Sequence, residues 1–302
     1  MSSVHVFAPG HLTGLFQICI DLDDPLKTGA RGSGVSLTEG VHTRVKVEPS
    51  RRPSHGIFIN GEEMIDANVS ENVLSKYLST IHDPYDILIE HTIETPMTAG
   101  FGSSGGGALS LSLALNKAME AGLSRVEAAQ LAHVAEIECK TGLGSVFAAD
   151  NGGFGVLYKP GAPGIGEGIV MEGTSGLEVI YIHFGPIHTK KALSNPELIA
   201  KINQIGGSYV DELHGNLTQE RFMMYARQFT DHIGLATPDV KKVFDLMDPK
   251  GYTFTMAMFG DVAYTVQPKE EINKILELLE PIECEPNVCG IDRHGTVIKM
   301  IQ

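Results

Sequence analysis

The sequence predicts a mixed α+β chain folded as two lobes. Strand–helix–strand order recurs in both halves. Residues 159–176 separate the halves with a run of Gly and Pro that has little periodicity. The length, 302 residues, suits one large domain or two modest ones. These observations place a nucleotide-binding lobe at 1–160 and a second lobe at 161–302.

In chain order, residues 4–9 read as a strand that breaks at Pro9-Gly10. Gly29, Gly32, Gly34 and Gly40 then surround Arg31 and Ser33, and 41–47 alternates as a strand. Residues 57–59 form a strand entering a tight turn at Asn60-Gly61. A helix over 71–81 and a strand over 85–95 follow. Residues 108–122 are a Leu- and Ala-rich helix whose first turn reaches back to Ser103 or Ser104 and which Gly122 ends. Residues 124–140 are a second helix: Ser124 sits at the N-cap, and Glu127 three residues on completes a capping box. A Gly-rich segment covers 141–155. Beyond 176, strands are expected at 178–184, 252–259, 263–267 and 295–301, and helices over most of 196–248 and over 269–279. No internal repeat or low-complexity tail is present.

Hydrophobic residues make up 42% and charged residues 20%, enough for a sizeable core. The net charge of −14 argues against a basic nucleic-acid surface and against anionic membranes, so neither partner is expected. The N-terminal residues carry no basic-then-apolar leader pattern, and no apolar run is long enough to span a bilayer. Cys19, Cys139, Cys284 and Cys289 form no C-x-x-C pair and close no zinc site. The expected setting is a reducing cytoplasm with free thiols.

The sharpest motif is PMTAGFGSSGGG, residues 96–107, between a strand and a helix. The first turn of a helix has N–H groups without partners, and the helix dipole makes that end positive, so an anion is stabilised there. Glycines let the backbone approach phosphate oxygens closely. Ser103 and Ser104 add hydroxyl ligands for phosphate or metal. A single Ser or Asp would suffice for a cap alone. The same letters fit two other templates. Gly102-Ser103-Ser104-Gly105-Gly106 matches G-x-S-x-G, but that serine-hydrolase elbow needs a strand ending at the Ser, and 96–101 intervene. The string GSSGGG also suits an amidase serine working with Lys27 and Ser124, although Ser124 is already explained as a helix cap. No Walker loop occurs.

The loop, a Gly-rich start near Pro9 and a second Gly cluster after two helices together resemble the GHMP kinases, whose phosphate motif reads P-x-x-x-G-L-G-S-S-A-A. Here Pro96, Ala99, Gly100, Phe101, Gly102, Ser103, Ser104, Gly105 and Gly106 occupy the phosphate-binding stretch, with Phe101 and the two Gly as mild departures. Within that superfamily the chain resembles the archaeal pantoate kinases, through APGHLTGLF (8–16), GARGSGVSL (29–37), ETPMTAGFGSSGGGALS (94–110), TGLGSVFAADNGG (141–153) and GPIHTKKAL (185–193). The resemblance implies the two-lobe GHMP fold, with a first lobe like ribosomal protein S5 domain 2 and a ferredoxin-like second lobe. It implies transfer of the ATP γ-phosphate to the primary hydroxyl of pantoate, giving 4-phosphopantoate on the way to coenzyme A. Homoserine, mevalonate or a sugar is the alternative acceptor. A non-catalytic nucleotide-binding sensor is a further reading.

By resemblance, Mg²⁺ is held by Ser104 and Glu136; a solvated helix carboxylate is the other reading of Glu136. Glu138 points to a different side of that helix. Many GHMP kinases place a general-base Asp where this chain has Ser145. Either Asp150, five residues on, takes that role, or no side-chain base is used, which a loose phosphoryl-transfer transition state tolerates. Arg31, Gly32 and Ser33 are the candidates for the acceptor carboxylate, with a surface cation the other reading of Arg31. His11 is placed at the acceptor hydroxyls, and Thr189 and Lys190 reach in from the second lobe. Gly260 is the one Gly of the segment corresponding to the C-terminal GHMP motif, which leaves that closing contact in question. A homodimer is the base-rate expectation.

Overall fold

The computed structural model describes residues 2–81, 83–185 and 195–301. The first sheet has eight strands. Its path runs β12 (Val297–Ile301), β1 (Ser2–Cys19), β2 (Gly29–Pro49), β5 (Tyr85–Ile93), β3 (Ser54–Ile59) and β4 (Glu62–Glu63). β6 (Phe154–Lys159) pairs with β2, and β7 (Glu167–Val170) pairs with β6. Helices α1 (Asn68–Leu78), α2 (Ser103–Ala118), α3 (Arg125–Cys139) and α4 (Ser145–Asn151) accompany it. The second sheet has the order β11 (Asn287–Gly290), β8 (Leu177–Gly185), β10 (Asp261–Pro268), β9 (Thr255–Met256), all antiparallel. Its helices are α5 (Pro196–Gly215), α6 (Gln219–Ile233), α7 (Pro238–Met247) and α8 (Ile272–Leu279).

The long β1–β2 hairpin departs from the sequence reading. The first strand does not stop at Pro9-Gly10. It continues to Cys19, with register shifts between Pro9 and His11 and between Thr13 and Leu15. The Gly-rich segment is the partner strand, so Gly32 lies opposite Phe16 and Gly40 opposite Pro9. A Cβ on Gly32 would stand 2.7 Å from the Leu15 carbonyl oxygen, and one on Gly40 would overlap that of Ala8. The glycines permit a tight crossing of two irregular strands, a role that composition alone reads as a loop.

The final strand, expected in the second lobe, pairs antiparallel with β1, setting Val4 opposite Ile301 and Phe7 opposite Val297. Alternation shows that a segment is a strand but not which sheet receives it. The expected helix over 71–81 begins at Asn68, and the expected strand over 252–259 shrinks to Thr255–Met256 before a turn. α4 lies inside the segment read as Gly-rich loop. The capping box of α3 forms as expected: Glu127 N–H donates to Ser124 Oγ, and Ser124 N–H donates to the Glu127 carboxylate.

Two apolar cores result. One lies between the first sheet and α1–α3, with Val6, Val45, Ile89, Leu74, Leu109 and Ala132. The other joins the lobes, where Leu12, Leu15, Phe16, Phe101 and Phe154 of the first meet Tyr181, Phe222, Phe229 and Tyr264 of the second. No helix among the described residues is long and apolar enough to cross a membrane.

A side chain at Gly40 should be costly. Gly40→Ala is expected to lower unfolding free energy by about 1–3 kcal/mol, because the obstructing atoms are backbone and cannot swing aside. Chemical denaturation checks this.

Candidate active site at the lobe interface

After β5 ends at Ile93 the chain makes three left-handed turns, at Thr98 (φ 56°), Gly100 (φ 82°) and Gly102 (φ 66°). Gly102 is the N-cap of α2, and no side chain caps that end. The first turn holds no acidic residue. Ser103, Ser104 and Gly107 line a cleft of about 620 Å³. An uncapped first turn opening into a cleft leaves its end unsealed, an arrangement with the chemistry to receive an anion.

Contacts from both lobes fix the loop. Phe101 is buried, and its ring meets Tyr181 of β8 edge-on at 5.0 Å. Its carbonyl oxygen accepts the His11 N–H at 2.8 Å. A Cβ on Gly100 would come within 2.8 Å of the Met258 carbonyl oxygen, and one on Gly260 would overlap that of Ala99. Gly260, the lone Gly of its segment, therefore stands where the second lobe touches the loop.

Glu136, in the last turn of α3, is 1% exposed and not a solvated helix carboxylate. Its Oε1 accepts the Thr141 hydroxyl at 2.6 Å, and its Oε2 accepts the Ser145 hydroxyl in a short hydrogen bond. A Cβ on Gly105 would stand 3.0 Å from Oε2, and one on Gly142 would overlap it. The carboxylate is thus wedged against the first turn of α2, beside the helix end that carries Ser104. Glu138 faces elsewhere, in an ion pair with Lys76 at 2.8 Å.

Two expectations need correction. Asp150 is on α4, but its Oδ1 takes Nη2 of Arg125 at 2.7 Å and Nε at 3.0 Å, and it is not among the cleft-lining residues. Held there, it is turned from an acceptor in the cleft; Ser145, Phe147, Ala148 and Asn151 are the members of α4 that line it. Arg31 also lies off the cleft. Its guanidinium donates to Gln17 Oε1 at 2.6 Å, to both Asp211 oxygens at 2.8 and 3.3 Å, and to the carbonyls of Gly207 and Tyr158. All five N–H donors are used: three join the hairpin to Gly207 and Asp211 of α5, one goes to Gln17 within the hairpin and one to Tyr158 of β6. Strand alternation explains the miss, because Ala30 and Gly32 on either side of Arg31 line the cleft.

His11 does line the cleft. Its Nδ1 is 3.1 Å from Ser36 Oγ, and burial pushes its pKa down to about 4, so it is a neutral hydrogen-bonding group at pH 7. Gly34 makes room for the ring. Ser33 lines the cleft too, and its hydroxyl donates to the Gly155 carbonyl at 2.9 Å. Thr189 and Lys190 lie outside the described residues.

Sequence reasoning missed Thr141 and Ser145 as the hydroxyls that hold Glu136. The available signal was their position five and nine residues past Glu136, on the turn that leaves α3. It also missed His91. This buried side chain bonds Thr43 Oγ1 at 2.8 Å and Ser70 Oγ at 3.1 Å. Thr43 continues to Ser110 at 2.5 Å, and Ser110 donates to the Gly106 carbonyl at 2.7 Å. The chain of hydrogen bonds therefore ends on the first turn of α2. No single segment displays it, since it draws on β2, α1, β5 and α2.

The GHMP kinases N terminal domain model matches residues 67–153, which carry the loop, α2, α3 and α4. A pantoate kinase of Methanocaldococcus jannaschii is 32% identical over 95% of this chain and 99% of its own length. One from Thermococcus kodakarensis is 30% identical over 95% of each chain. The chain belongs to the pantoate kinase family of GHMP kinases. A solved "phosphotransferase related to CoA biosynthesis pathway" superposes with TM-score 0.89 at 28% identity over 98% of both chains. Homoserine kinase of Cytophaga hutchinsonii superposes with TM-score 0.69 at 16% identity, over 98% of this chain and 97% of its own, which shows a shared two-lobe fold.

Membership in the pantoate kinase family agrees with the local chemistry and not with the hydrolase templates. Among the described residues, neither Ser103 nor Ser104 is hydrogen bonded to a His or Lys, and Lys27 is paired with Asp24 at 3.3 Å. No disulfide joins the four cysteines.

Two outcomes follow for this family member. Arg31→Ala should lower stability by about 1–2 kcal/mol and leave the acceptor KM unchanged, since it removes a partly exposed tie between lobes; steady-state kinetics beside a melting curve check both halves. His11 and His91 have folded pKa values near 4 against an unfolded 6.5, each because of burial. The unfolded chain binds more protons between those values, so stability is complete above pH 6.5 and falls as pH drops toward 4. Urea midpoints from pH 7.5 to 4.5 should show that decline.

Proposed function

We propose that this protein transfers the γ-phosphoryl group of ATP to the primary hydroxyl of pantoate, giving 4-phosphopantoate for coenzyme A synthesis in the cytoplasm. The observation that carries the reading is the uncapped first turn of α2, opening into the cleft with the Glu136 carboxylate wedged beside it. The relatives' names supply the acceptor.

The triphosphate lies along the main-chain amides of 100–106, where glycines admit phosphate oxygens and the helix dipole favours negative charge. Ser104, which lines the cleft, and Glu136, which lies behind Gly105 and Gly142 rather than in the lining and already accepts two hydroxyls, are the hard oxygen donors that would hold Mg²⁺, a metal that needs few protein ligands. When bound, the metal offsets charge on the β- and γ-phosphates. Thr141 and Ser145 hold the Glu136 carboxylate in one orientation. The acceptor lies on the arm of the cleft lined by His11 and Ser33, where neutral His11 bonds a hydroxyl. With Ser145 in place of the family's Asp and Asp150 turned away, this chain works without a carboxylate base. Transfer relies on alignment, and the hydroxyl proton leaves late, to a phosphoryl oxygen or to solvent.

ADP release measured with pantoate, homoserine, mevalonate and galactose should be stimulated by pantoate. Release with another acceptor instead would change the assignment. In the same assay Ser104→Ala should lower kcat at least about 10-fold with a small change in acceptor KM, as expected for an interaction used at the transferring phosphate.

A further inference from the structure

Phe259 lines the cleft and has no part in the proposed phosphoryl transfer. It sits at φ 62°, a left-handed conformation that bulky residues seldom adopt. The turn that holds it is over-determined. Met258 N–H donates to the Thr13 carbonyl at 3.1 Å, Gly260 N–H donates to the Ala257 carbonyl at 3.0 Å, and Gly260 abuts Ala99 of the phosphate loop. Glycine would take this backbone shape without strain, yet the chain places its largest kind of apolar side chain there.

That placement has a chemical result. The Phe259 ring meets Phe16 edge-on at 5.7 Å, and both rings line the cleft with Thr13, Met258, Ile169 and Val170. The hairpin that supplies Thr13 and Phe16 also supplies His11 and Ser33. This arm of the cleft therefore offers hydrogen-bonding groups together with an aromatic wall. The other arm, around Ile59, Val69, Ile93 and Met97, is tied together at Asn60, which accepts the Ile93 N–H and donates to Met97 Sδ.

We infer that Phe259, held in its strained turn, selects an acceptor whose carbon next to the CH₂OH group is branched and apolar. The inference rests on the proposed function and deepens it. Pantoate bears two methyl groups on that carbon, and 2,4-dihydroxybutyrate is the same molecule without them. Polar groups of the arm take the hydroxyls of both compounds equally, so the wall is where the two differ. One methyl group in an apolar pocket changes discrimination by about 10-fold or more.

The test compares kcat/KM for pantoate and for 2,4-dihydroxybutyrate in the wild type, Phe259→Gly and Phe259→Leu, with the ATP KM and melting temperature measured alongside. Gly removes the wall and suits the positive φ; Leu keeps apolar bulk in the same turn. The preference for pantoate should fall about 10-fold or more in Phe259→Gly and by less in Phe259→Leu. The loss should come through the pantoate KM, with the ATP KM within about 2-fold of wild type. A purely structural Phe259 would alter both acceptors alike. Folded variants that keep the full wild-type preference overturn this inference alone. A wild type inert toward pantoate overturns the proposed function and this inference with it.

Discussion

The first turn of α2 leaves its N–H groups open, and the rest of the site depends on keeping that turn bare. Gly102 caps it in a left-handed turn, and no side chain returns to satisfy it. Free N–H groups at a positive helix end attract an anion only if nothing else fills the space. Gly105 and Gly142 leave room for Glu136, and Gly100 and Gly260 let the second lobe press on the loop from behind. The chain as a whole is acidic, so this local concentration of amides, rather than net charge, supports anion binding.

Rigid support surrounds that open end. Phe101 sits in the core that joins the lobes, on Tyr181, and holds His11 through its carbonyl. On the other side Ser110, Thr43, His91 and Ser70 connect the first turn to β2, β5 and α1 through buried hydrogen bonds. A buried polar network fully paired in this way specifies one arrangement of its neighbours. Arg31 belongs to this supporting class as well, since its donors tie the hairpin to α5 and to β6 and brace it internally at Gln17.

Much of the candidate site was legible because its parts are local. The Gly/Ser run between a strand and a helix is contiguous, and so is the Ser124–Glu127 capping box. What failed in reading the sequence was orientation. Arg31 and Gly32 are neighbours that face opposite ways on a strand, and Asp150 lies between the cleft-lining Ala148 and Asn151 of α4 but on the side that meets Arg125. Pro9-Gly10 read as a strand end because both residues break regular pairing, whereas a register shift absorbs them.

The sequence by itself determined the capped start of α3, the Gly/Ser loop that leads into α2, and the family, because these rest on short-range chemistry: capping side chains and glycines at fixed spacing. Only the tertiary structure decided which carboxylate faces the loop, which sheet takes the final strand, and that Gly260 of the chain's second half packs on Ala99 of the loop while Phe259 lines the cleft. Those outcomes follow from which long-range surfaces bury each other, and no residue carries that information alone.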